Sequence, residues 1–145
     1  MALINHFRKN IFNLFGLSIL LSIFLGSCAR HNIEDIELIC NFKVASKINY
    51  YSTFEHWNDF NGDGIKIITF NIISDDMSYF KQNGEKENFK IFNMLEKDCP
   101  FKDSVLAPYL SDGTGIYKSI FGKNEEKTVI IDLKNKVFLY YYDVF

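Results

Sequence analysis

The run from Ile11 to Cys28, IFNLFGLSILLSIFLGSC, constrains this chain more than any other feature, because it decides which of the 145 residues are left to fold. Arg8 and Lys9 form a positive stretch ahead of it, about fifteen mostly apolar residues follow, and small Gly26 and Ser27 lead into a cysteine. Positive, then apolar, then small is the layout of a secretory signal. An uncleaved membrane helix is one competing reading. Against it, the apolar run sits at the short end of the ~20 residues a span needs, and Asn13, Ser18 and Ser22 interrupt it. A plain signal cut elsewhere is the other, since Ser27-Cys28-Ala29 also offers small residues.

The tetrapeptide Leu25-Gly26-Ser27-Cys28 resembles the lipobox of bacterial lipoproteins. That resemblance implies a diacylglycerol on the Cys28 thiol and a cut just before it by signal peptidase II. Residues 1–27 would then be removed and Cys28 would become the lipidated first residue. The residue types suit the chemistry: a leucine three places before the cut fills an apolar pocket, Gly26 and Ser27 thread a narrow site, and the thiol is the nucleophile. Two or more acyl chains, at ~0.8 kcal/mol per buried CH₂, hold a protein at a bilayer where one chain is marginal. The implied address is the cell envelope, at the outer membrane if the host is Gram-negative. The expected organisation is a signal at 1–27, a lipidated terminus and tether at 28–34, and one small domain at 35–145.

The first 27 residues hold two basic and no acidic side chains, so 14 of the 16 Lys and Arg remain against all 18 Asp and Glu, a net charge of −4. A mildly acidic chain with scattered lysines does not attract nucleic acid. Fifteen Phe, eight Tyr and many Ile argue for a β-rich core, although AT-rich coding would also enrich Phe, Ile, Asn and Lys. With Cys28 assigned to the anchor, Cys40 and Cys99 are an even pair in an exported chain, where a disulfide is permitted. Such a bridge would close a loop of about sixty residues and stabilise by roughly 4 kcal/mol. The alternative is that Cys40 is a small buried apolar residue.

Ile36, Leu38, Cys40, Phe42 and Val44 alternate with Glu37, Asn41 and Lys43, which predicts a strand with one buried face. Ile48 to Phe54 reads as a second strand. Glu55 to Gly64 is dense in turn formers, and Ile65 to Ile73 reads as a central strand apolar on both faces. Ser74-Asp75-Asp76 offers a helix start, with the helix ending at Asn83-Gly84. Phe89 to Leu95 reads as helix or irregular chain, and Lys102 to Leu110 as a weak helix compromised by Pro108. Gly115 to Phe121, Lys127 to Leu133 and Val137 to Val144 read as three strands with short links, a C-terminal meander. The fold class is α+β: an antiparallel sheet of five or six strands with one or two short helices.

Asp59-Phe60-Asn61-Gly62-Asp63-Gly64 places oxygen ligands at the first, third and fifth positions and Gly at the sixth, as a calcium loop begins. It resembles the start of the calcium loops in integrin-type propeller repeats. An EF-hand needs an acid at the twelfth place, where Phe70 stands, and the propeller loop needs Asp at the ninth, where Ile67 stands. Asp59, Asn61 and Asp63 alone would leave the ion undercoordinated. The competing reading is a tight turn in which Gly62 and Gly64 take positive φ. Phe60 to Gly64 followed by an apolar strand, with the closing Leu139-Tyr140-Tyr141-Tyr142-Asp143, also resembles a group of small exported bacterial proteins with an F-x-G-D-G turn. That resemblance implies no activity.

Past the signal, only His31 and His56 are available as histidines, and no nucleophile and acid are spaced to work with either. The residues therefore favour binding over catalysis. The expected role is a protein-interaction module held at a bacterial membrane through Cys28, with a calcium-dependent binding domain on Asp59, Asn61 and Asp63 as the alternative. In the tail, Tyr140, Tyr142 and Val144 oppose Leu139 and Tyr141, so either both faces of that strand are covered or one is an exposed patch.

Overall fold

Buried Ile36, Ile39 and Cys40 are spaced i, i+3, i+4, while Leu38 between them is 79% exposed. This is helical periodicity, and residues 32–40 form helix α1. The predicted strand at this place is therefore incorrect: the period-two reading left out Ile39, which falls on its polar side. Residues 32–34, read as tether, are also helical. The computed structural model describes residues 32–58, 62–73 and 76–145. Its compact unit begins at Ile36 and runs to Phe145.

Helix α1 stops at Asn41, whose φ of 60° is the left-handed turn that asparagine tolerates, with its amide bonded to the Glu37 carbonyl at 2.9 Å. The Glu37 carboxylate then reaches forward. It accepts hydrogen bonds from the amides of Val44 at 2.9 Å and Ala45 at 3.2 Å, and from Lys43 Nζ at 2.7 Å. Burial on its own would raise the Glu37 pKa, but these three donors outweigh it and hold the carboxyl below its usual range.

Six strands follow: β1 (Ile48–Trp57), β2 (Gly64–Ile72), β3 (Lys90–Asn93), β4 (Thr114–Phe121), β5 (Glu125–Asp132) and β6 (Val137–Val144). They form one sheet in the order β1-β2-β6-β5-β4-β3, with every neighbouring pair antiparallel. The C-terminal meander of β4, β5 and β6 is as the sequence implies. With α2 (Met77–Lys86) and α3 (Ala107–Leu110), the described residues contain three short helices, and the α+β class holds.

Helix α2 runs through Asn83-Gly84 instead of ending there. Gly84 is buried in the helix, where a Cβ would lie 2.2 Å from Ile116 Cδ1, so the glycine is kept for close approach to β4 and not as a stop signal. The helix ends instead at Lys86, and Asn88, just past the Glu87 cap, takes the left-handed φ of 58°. Phe89 to Leu95 holds strand β3, correcting the helix-or-irregular reading. Its inward residue Phe92 is buried while Ile91 is exposed, a period of two too short to stand out in sequence.

Central strand β6 shows why the core is double. Phe138 packs edge-on against Phe70 of β2 at 6.0 Å and in a tilted arrangement against Phe80 of α2 at 5.8 Å, and Phe80 meets Phe42 at 6.3 Å. Leu139 and Tyr141 point the other way. They join Ile67, Ile130, Phe92, Phe101, Leu106 and Leu110 in a second cluster, beneath the chain between β3 and β4. Each fully buried Ile, Leu or Phe contributes roughly 1.5–3 kcal/mol. Tyr140 and Tyr141 are thus both buried, so the aromatic tail is core on both faces.

Candidate functional site

Among the residues singled out from the sequence, Cys28, Asp59 and Asn61 lie outside the described residues. Asp63 is described, and it contributes its main chain: its carbonyl accepts the Asn58 amide at 2.7 Å, while the Gly62 amide bonds the Asn58 carbonyl at 3.2 Å. Gly62 takes the expected positive φ, at 74°. Gly64 does not. It starts β2, where a Cβ would lie 2.5 Å from Trp57 Cε3 and 2.5 Å from the His56 carbonyl, so it is needed for close strand approach. Among the described residues no three His, Cys, Asp or Glu side chains converge to hold a metal.

Cys40 and Cys99 are both buried free thiols, so the considered bridge is not formed. They serve two different packing environments. Cys40 ends the apolar stripe of α1, whereas Cys99 sits in the second cluster with its Sγ 3.5 Å from Met94 Sδ. Burial pushes the Cys40 thiol up to about 12, only partly offset by Lys118, which makes it inert as a nucleophile at neutral pH.

What the fold assembles instead is a surface on β1. Eight of its ten residues are exposed, including Tyr50 at 63%, Tyr51 at 67%, Phe54 at 44% and Trp57 at 39%. Among the described residues the strand pairs only with β2, which leaves its outer backbone edge without a neighbouring strand. A bulge lies between Tyr50 and Ser52, and from Ser52 to Trp57 the pairing with β2 is regular. Tyr50 is steadied by an edge contact to Phe70 at 6.2 Å and a 3.2 Å hydroxyl bond to Thr53.

The far end of β1 continues onto the sheet face. Trp57 packs edge-on to Tyr142 at 6.2 Å and its indole N–H donates to Glu55 at 3.4 Å. Lys66 pairs with Glu55 at 2.9 Å, and that ion pair, with lesser help from Trp57, holds the Glu55 carboxyl below its usual range against a smaller effect of burial. Tyr142 donates to Glu125 at 3.0 Å and lies under Lys127, 5.3 Å from the ring centre. The charges here are matched, so the patch is aromatic and close to neutral. His56 stands exposed on the same strand, opposite Ile65.

Two further features are present. On the opposite face, burial first and the Asp143 hydrogen bond second push the Tyr141 phenol well above its ordinary value. Between α2 and β3–β4 lies an open groove of about 560 Å³ lined by Lys81, Glu85, Phe89, Ile91, Ile116 and Leu133.

Of the two readings of the closing strand, coverage of both faces holds for Tyr140 and Tyr141, and the exposed aromatics lie in β1. The signal was available in INYYSTFEHW: its aromatics do not keep a period of two, and the bulge at Tyr51 breaks the alternation that would have assigned them a face. No protein-family model, curated protein or solved structure matches the chain.

Proposed function

We propose that this chain is a bacterial lipoprotein whose small domain acts as a non-catalytic protein-interaction module at the cell envelope. The anchor reading rests on Leu25-Gly26-Ser27-Cys28 at the end of the apolar run. The observation that supports an interaction role is the β1 edge: ten residues long, open on one side, and carrying four exposed aromatic side chains. Long exposed edge strands are templates for another strand, and aromatic residues are enriched where proteins meet. Among the described residues no helix is long and apolar enough to cross a membrane.

The test has two arms. Mass spectrometry of protein from a bacterial host should find Cys28 as an acylated first residue, and Cys28→Ala should leave the unprocessed chain; an unmodified Cys28 thiol contradicts the anchor. Partners recovered from native membranes should be lost on Phe54→Lys. Full retention would contradict the assignment of β1 as the interaction surface.

A further inference from the structure

We propose that the partner of β1 is a second copy of this chain, added antiparallel across a twofold axis centred on Phe54, an inference that rests on the interaction role above. Strand addition about an axis perpendicular to the sheet sets each residue opposite one an even number of places away, with both on the same face. Tyr51, Phe54 and Trp57 are equally spaced about Phe54. This register therefore places Phe54 opposite its own copy and brings Tyr51, at the bulge where the regular pairing stops, to the level of Trp57 of the second copy. Ser52 faces His56 and Thr53 faces Glu55, so the strand's one carboxylate never meets its like. Cross-strand aromatic pairs are among the most favourable, and like charges directly opposite are the least.

The regular segment from Ser52 to Trp57 supplies the hydrogen-bonding edge, and the bulge at Tyr51 marks one limit of it. At the observed exposures, four aromatic side chains of roughly 150–250 Å² each present on the order of 400 Å² per copy. A stable interface needs about 800 Å² per partner. With the backbone edge added, the pair lies at the small end of specific interfaces, so it is reversible and gains from confinement to a bilayer, which raises the effective concentration.

The test is oxidative cross-linking of the full chain in membranes of a bacterial host, with single cysteines added at neighbouring positions. Cβ atoms directly opposite in antiparallel strands lie about 4.5–5.5 Å apart, within disulfide reach after small adjustment. Phe54→Cys should give dimer at least tenfold faster than Thr53→Cys, Glu55→Cys or the unsubstituted chain. Equal rates at the three positions, or no dimer above the unsubstituted chain, overturn self-pairing. Fractionation of the same cells separates this failure from that of the underlying reading. Membrane-bound chain without the Phe54→Cys dimer removes only the second copy as partner, whereas chain found free of membrane removes the anchored module too.

Discussion

Strands β1 and β3 occupy the two edges of one sheet and are built in opposite ways. β3 is four residues long, opens with Lys90, and turns its single aromatic, Phe92, into the second core cluster, 5.4 Å from Phe101. β1 is ten residues long and turns its aromatics outward. Edge strands are protected from other chains by shortness, lysine and cover. β3 has all three. β1 has only a bulge and paired charges, so the contrast is between a short edge whose aromatic is spent on the core and a long edge whose aromatics face outward.

The largest expected effect breaks or keeps this contrast directly. Phe92→Ala should lower the unfolding free energy by about 3–5 kcal/mol, because it opens a cavity beneath β3. Phe54→Ala on β1 should change it by no more than about 0.5 kcal/mol, as an exposed position does. Urea denaturation of both variants measures this, and similar losses would mean that β1 is as integral to the core as β3.

Beside β3, Gly115 faces Phe92, and a Cβ there would lie 1.9 Å from the Ile131 carbonyl oxygen. Backbone cannot yield as a side-chain end can, so Gly115→Ala should cost about 1–3 kcal/mol. A neutral result would show that the β4–β5 pairing beside β3 has slack. Acid titration gives a smaller distinction. Glu37 and Glu55 are both held below the ordinary carboxylate value of 4.5, so the stability each adds is present above that pH and is lost as pH falls through the lowered value. Melting curves from pH 7 to 3 should therefore show a shallower acid loss in Glu37→Gln. In Glu55→Gln the change should be slight, since an exposed pair is worth only about 0–1 kcal/mol. The smallest effect concerns Thr69, next to β1, whose buried hydroxyl has no hydrogen-bond partner among the described residues. Thr69→Val should be neutral or raise the melting temperature slightly.

Strands β2, β4, β5 and β6 were legible in sequence because each is a continuous apolar or aromatic run bounded by turn residues. Helix α1 was not, because Ile36, Leu38, Cys40, Phe42 and Val44 alternate by coincidence, and the exposure of Leu38 reveals the true period only in three dimensions. Asn83-Gly84 looks like a stop, yet packing against Ile116 claims that glycine. β3 is too short for any period to declare itself. The surface on β1 was half legible: the aromatics are plain in INYYSTFEHW, but which strand lies at an edge is a property of the sheet order, with β2 pairing to β6 across sixty-odd intervening residues. A sequence reading sees strands one at a time and cannot say which is left without a neighbour.

Hydrogen exchange of the full chain in native membranes, compared with the same chain diluted in detergent, tests the difference between the two edges most directly. The account predicts that amides of residues 51–57 exchange more slowly in membranes, while those of residues 90–93 are unchanged. Unaltered exchange at 51–57, or equal slowing at both edges, would contradict it.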